Sequence, residues 1–498
     1  MNTRVDTLGY YVFKYSDDHG KSWSEKRYPI DVREFQCDHD NIYGGKVRFF
    51  WNVGRPFTDN GTLYASLHKV HNFGPGHMVG SEGCLIASNN IMTESDPEKI
   101  AWITLPDGDV GLKTPPGGGA IAEEQCHVVL SDGTFYVSYR SSDGYPVEAY
   151  SRDKGRTWNT PKYMKYANGK VIKHPRAAAF TWKCENGKYL FWCHNHGGHF
   201  IAELDHNLAA ANGLSRDYRC SAFDNRNPVW ICGGMEVDKP QGREIRWSQP
   251  EILFYDDDPF IRMSYPDLVE DKGKYYITET QKKIARVHEI DATFLEKIWS
   301  GLEVELTRSS QDSLVETDCK REEQIIDPVI IKPFYMRNTR EFDFSGIHST
   351  GGFSLEFLAF IPDVDNDSYL LDARRREDRR GMALKLCPGG RLEFFVKDIY
   401  LEHTFRSEYC LNLNAVNYIV VNMDGGPKIL NYLVNGAFCD GTEESQVGWF
   451  RFSPFLSHLN WAEKWTLGKQ VADFKVNDRV LMSADAVINY NAYTGNNE

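Results

Sequence analysis

The sequence predicts an all-β protein, a six-bladed β-propeller followed by a β-sandwich. Three observations carry that prediction. A turn-plus-strand unit recurs through residues 1–295, an octamer repeats inside it, and strand-like alternation resumes near residue 335 after a polar stretch. No long amphipathic helical pattern competes with them.

The unit is seen in "DNGTLYASLHKV" (59–70), "SDGTFYVSYRS" (131–141), "ENGKYLFWCHN" (185–195) and "DKGKYYITETQ" (271–281). In each, a glycine in a polar turn can take the positive φ of a tight hairpin. A run rich in Tyr, Phe and β-branched residues follows, which suits a half-buried pleat. Seven residues after Gly61, Gly133, Gly187 and Gly273 stand His68, Arg140, His194 and Thr280, the last flanked by Glu279. Strands set radially would bring these polar ends to one place. Several short strands per unit, in about six units of irregular length, are the mark of propeller blades. The first unit lacks its opening strands.

The octamer S-x-D-x-G-x-[ST]-W occurs at Ser16, Asp18, Gly20 and Trp23, and again at Ser151, Asp153, Gly155 and Trp158. Its Asp can bond nearby backbone N–H groups, its Gly makes the turn, and its Trp is expected to pack back into the blade. The motif therefore reads as a fastener and not as a catalytic element.

Composition limits the chemistry. Hydrophobic residues make up 41% and charged residues 26% of the 498 residues, a globular balance. The formal net charge of −13 argues against nucleic acid and anionic membrane as partners, while a local Arg cluster could still hold an acidic ligand. Eleven cysteines are widely spaced with no zinc spacing, and no apolar run is long enough to span a membrane. No signal peptide is visible, which fits a cytoplasmic protein or a chain that starts short of its natural N-terminus. Oligomeric state is not legible.

The octamer resembles the Asp-box of the sialidase (neuraminidase) superfamily, and the resemblance covers residues 1–295. It implies a carbohydrate-active propeller. "MSYPDLVE" (263–270) resembles the segment holding the sialidase nucleophile, which implies that role for Tyr265. The blade containing "NRNPVWICGG" resembles the one carrying the last arginine of the carboxylate-binding triad, which implies Arg226, and Arg140 occupies a comparable strand end. The chain departs from the family in lacking an R-I-P segment near its start. It is also unusually rich in histidine: His68, His71, His77, His127, His174, His194, His196 and His199.

Two chemistries fit. In hydrolysis of a terminal acidic sugar, Tyr265 attacks, Glu279 or Glu124 takes its proton, and Arg140, Arg176 and Arg226 hold the sugar carboxylate through planar forks. In elimination from a uronate, or histidine-dependent hydrolysis, His68, His127 or His194 acts with Tyr139 and Arg140. A third reading is a propeller that binds glycan without cleaving it. "HNHGGH" (194–199) is too weak a pattern to assign a metal, so no metal or cofactor is expected. The expected partner is an acidic glycan.

After a helix at 292–302, residues 296–334 read as helix and linker. The strands "GFSLEFLAFIP", "MALKLCPGGRLEFFVKD" and "NYIVVNMDGG" then open a 335–498 module. Their order resembles a concanavalin-like (laminin-G-like) jelly roll closed by "VNDRVLMSADAVINY" (476–490), a kind of module that often binds carbohydrate.

Overall fold

The computed structural model describes residues 8–495 apart from 75–76, 196–225, 257–260, 281–283, 304–312, 319–321, 335–350, 364–365, 400, 442–448, 454–455 and 457. Five antiparallel sheets succeed one another between residues 11 and 290. The first pairs Tyr11–Phe13 with Tyr28–Ile30. The second is built on the hairpin Thr62–Gly74 and His77–Ser88. The third runs through Glu123–Val129, Phe135–Arg140, Val147–Ser151 and Lys162–Tyr163. The fourth holds Phe180–Lys183, Tyr189–Cys193, Val229–Lys239 and Gly242–Trp247, and the fifth Ser264–Asp271, Lys274–Thr280 and Ala285–Ile290. Along each main path the strands follow chain order, the meander of a propeller blade. The four turn glycines of the repeat all have φ between +77° and +83°, so the strands begin where the sequence placed them.

Both octamers close the same way. Ser16 Oγ donates to Asp18 Oδ1 at 2.8 Å, and Ser151 Oγ to Asp153 Oδ1 at 2.8 Å. The backbone N–H of Ser22 or Thr157 reaches the same Oδ1 at 2.8 Å, and the hydroxyl of that residue reaches Oδ2. The Ser, Asp and hydroxyl positions of the fastener are thus used locally in both copies. The tryptophans differ. Trp158 packs against two core clusters of the second and third sheets. Trp23 is 58% exposed, contrary to the expectation for both copies, because its two-stranded sheet offers little apolar surface to cover it.

The helix Ala292–Ser300 is capped by Asp291 and seats Leu295, Ile298 and Trp299 in the fourth and fifth sheets' core. The stretch read as linker also supplies two edge strands, Ser313–Asp318 and Gln324–Ile326, to the sheets of the sandwich. Those two sheets have seven and six strands and share one core. Strand Ala415–Asp424 is buried on both faces: Ile419, Val421 and Met423 face the sandwich core, while Tyr418 and Val420 join a cluster with Tyr136, Trp230 and Trp247 of the propeller. The alternation therefore serves two cores at once. The expected closing strand at 476–490 is corrected. Strand Val471–Asn477 ends there, and Ser483–Gly495 is a helix.

Candidate active site

Two irregular strands define the site. In the third sheet the register between Glu123–Val129 and Phe135–Arg140 shifts after Glu123, and Glu124 has φ +59°. In the fifth sheet the register between Ser264–Asp271 and Lys274–Thr280 shifts after Ser264, and Tyr265 has φ +48°. Each is a β-bulge with a bulky residue in the left-handed region. Such a conformation costs about 1–3 kcal/mol and persists only where surrounding structure enforces it. Pro266 can sit inside a strand because the bulge removes the need for its missing N–H.

These bulges turn Glu124 and Tyr265 into a common cluster with Glu123, Arg140, Arg176 and Arg226. Glu123 and Arg140 are cross-strand partners. Arg140 Nε donates to Glu123 Oε2 at 2.9 Å, Nη2 donates to the same oxygen, and Nη1 lies 3.0 Å from Glu124 Oε2. Arg226 Nη1 donates to Ser264 Oγ at 2.7 Å, and its guanidinium stands 5.9 Å from the centre of the Tyr265 ring. Among the described residues, no hydrogen-bond donor reaches either Glu124 oxygen with good geometry, although the carboxylate is buried.

The electrostatics divide the two glutamates. Burial alone would raise Glu123, but Arg140, His68 and Arg176 outweigh it and hold the carboxyl below its ordinary range. Burial raises Glu124, and its neighbour Glu123 adds to the rise against the pull of Arg140, Arg226 and Arg176. Arg176 is lowered by burial and by Arg140; Arg226 is lowered by burial and then Arg140, against the pull of Tyr265. Burial and then Glu124 raise Tyr265, against Arg140 and Arg226. A tyrosine beside a carboxylate of raised basicity, ringed by three arginines, is a pair able to exchange a proton next to an anion site.

The other candidates fall in different places. His68 is fully buried, next to the Glu123–Arg140 pair in its electrostatics, and burial pushes it down to about 4. His194 stacks on His174 with ring centres 5.7 Å apart; burial, then His174 and Arg226, hold it well below the usual imidazole range. Both are neutral at neutral pH. Glu279 lies opposite Arg286 and sits 3.5 Å from Arg286 Nε and 3.5 Å from His288 Nε2, in an acid–base group of its own sheet. Of the two carboxylates offered for Tyr265, Glu124 is the one whose charge raises the phenol. His127 lies between Phe57 and Trp158 and borders a separate cleft of about 860 Å³ with Phe180 and Trp182. Tyr139 is buried among Val137, Val147 and Ala149 and donates to the Lys113 carbonyl at 2.6 Å. Neither is brought to the cluster. His196 and His199 lie outside the described residues. Glu123 is the member that sequence reasoning missed. Its signal was two adjacent glutamates opening a strand that the repeat places toward the core.

No family model matches this chain, and no curated protein matches it. Among solved structures, it is similar to a Trypanosoma rangeli sialidase in complex with 2,3-difluorosialic acid, at 12% identity over 98% of this chain and 89% of the other, with a TM-score of 0.30. It is also similar to a leech intramolecular trans-sialidase, at 16% identity over 57% of this chain and 37% of the other, with a TM-score of 0.37. A Ruminococcus gnavus IT-sialidase CBM40 bound to α2,3-sialyllactose is similar at 11% identity over 35% of this chain and 97% of the other, with a TM-score of 0.24.

Proposed function

We propose that this protein is a glycoside hydrolase that removes a terminal acidic sugar by a sialidase-like mechanism. The observation that carries the reading is the pair of strained bulges. Two separate sheets each hold one residue in the left-handed region, and those residues are a tyrosine and a carboxylate that sense each other's charge. In this reading Tyr265 Oη bonds to the anomeric carbon as the glycosidic bond breaks, and its proton passes to Glu124. Water then displaces the tyrosine: its oxygen bonds to the anomeric carbon as the bond to Tyr265 Oη breaks, and Glu124 returns its proton to Tyr265 Oη. The proton shed by the water passes to solvent, balancing the one that the leaving oxygen takes from solvent in the first step. Both histidines near the cluster are held neutral, so neither supplies the proton that the leaving oxygen needs.

The charge of the cluster supports an acidic sugar. Three guanidinium groups face one carboxylate held ionised and a second biased toward its neutral form. The surplus is positive and suits a substrate carboxylate. The sandwich is read as a brace for the propeller, since one face of its larger sheet is buried against Tyr136, Trp230 and Trp247.

The test compares aryl glycosides of acidic sugars with their methyl esters. The account expects turnover of the acids and none of the esters. Equal turnover of the esters sinks the acidic-sugar reading. The appearance of an unsaturated uronate, with Tyr265→Phe fully active, moves the site to elimination.

A further inference from the structure

We propose that Cys37, His71 and Glu82 form a binding site for a zinc-like divalent ion, outside the arginine cluster. Their donor atoms all lie within 4.8 Å of one another. Cys37 Sγ is 3.5 Å from Glu82 Oε1, and His71 Nε2 is 3.2 Å from Glu82 Oε2. Zinc binds sulfur at about 2.3 Å and nitrogen or oxygen at about 2.0–2.2 Å, so donors on a tetrahedral ion stand about 3.3–3.6 Å apart. The two contacts, one to each oxygen of Glu82, lie near that figure before any ion is added.

Each donor is fixed by something other than the other two. Cys37 lies on the short helix Gln36–Asp40, held by its neighbour Asp38, which accepts from the Phe35 N–H at 2.8 Å and pairs with the buried Lys69. His71 falls in a register shift between Val70 and Asn72, where the strand gives it no partner. Gly80 seats its ring, since a Cβ there would lie 3.0–3.3 Å from His71 atoms. Glu82 is buried, and the Gly111 N–H donates to its Oε1 at 3.1 Å. Gly111 can approach because it has no side chain; a Cβ there would sit 2.3 Å from the Gly83 carbonyl oxygen. Both glycines shape the site.

A thiolate, an imidazole and a carboxylate together favour zinc or cobalt over magnesium or calcium. Three protein donors leave a fourth position for water or a small ligand. Lys113 Nζ stands 3.5 Å from Glu82 Oε2, where a cation is already favoured, and its half-exposed side chain can swing out. Binding deprotonates Cys37: the metal–sulfur bond forms, the S–H bond breaks, and the proton leaves to solvent. The ion would tie the Gln36–Asp40 helix to the hairpin that also carries His68.

The experiment uses untagged full-length protein, stripped with a chelator and titrated with zinc by calorimetry and with cobalt by absorption. The proposal expects one equivalent of each ion, tetrahedral cobalt bands with a thiolate charge-transfer band, and a melting temperature raised by zinc. Cys37→Ser should lose the charge-transfer band, and His71→Gln, at the half-exposed edge of the site, should lose stoichiometric binding with its metal-free melting curve intact. Absence of stoichiometric binding overturns the site. So does binding that Cys37→Ser and His71→Gln leave unchanged.

Discussion

Two buried glutamates, one in each half of the molecule, are treated in opposite ways. Glu356 of the sandwich accepts from Asn477 Nδ2 at 2.7 Å, from Asn489 Nδ2 at 3.0 Å and from the Tyr418 hydroxyl, with Lys475 Nζ at 3.9 Å. It sits in the ten-residue strand Gly352–Ile361, in register with Val420 on one side and Lys475 on the other. Glu124 of the propeller sits on a bulge at φ +59°, beside a charged arginine but without a well-aligned donor. A buried network with every acceptor met holds a fold together; one left incomplete, on strained backbone, keeps its capacity for something that is not part of the chain. The contrast separates a carboxylate whose partners are all supplied by the chain from the one that the proposed reaction uses.

The comparison breaks most sharply at Glu124. Glu124→Gln keeps the shape and removes the base, so kcat should fall by about 10²–10⁴-fold with the melting temperature held. In the parent protein the acid limb of the pH–rate profile should lie above the ordinary glutamate value, because Glu124 is raised and must be ionised to take the tyrosine proton. Glu356→Ala should do the reverse. It strands Tyr418, Asn477, Asn489 and Lys475 and should cost about 3–5 kcal/mol of stability, read by denaturant unfolding. An active-site defect in well-folded Glu356→Ala protein would dissolve the distinction.

Smaller changes sharpen it. Arg226→Lys retains the charge but loses the planar fork, and should lower kcat/KM on an acidic glycoside by about tenfold to a hundredfold. Asp153→Ala removes the three side-chain contacts of the fastener and should cost about 1–2 kcal/mol, seen as a lower melting temperature with kcat unchanged on folded protein. Unchanged melting with lost turnover would put the octamer in the active site.

The sequence was informative where local rules decide the outcome. Turn glycines set the strand starts, and the octamer's spacing set its hydrogen bonds. Arg140 and His68 were reachable because both lie at a fixed count from such a glycine. Tyr139 shows the cost of stopping there: it is adjacent to Arg140, and neighbours on a strand face opposite ways. Glu123 required the cross-strand register, and the choice of Glu124 over Glu279 required knowing that Arg286 lies opposite the latter. Neither bulge is visible as a pattern of residue types. The closing helix at Ser483–Gly495 was hidden because its apolar residues were read as a continuation of strand Val471–Asn477.

Turnover by Tyr265→Phe on an acidic aryl glycoside, beside its melting curve, tests the central claim most directly. The phenol lacks only its oxygen, and the bulge remains. The account predicts near-complete loss of kcat with unchanged melting, because the bond to the anomeric carbon has no other atom to form on. Full activity in Tyr265→Phe would contradict it and leave the strained tyrosine without a chemical role.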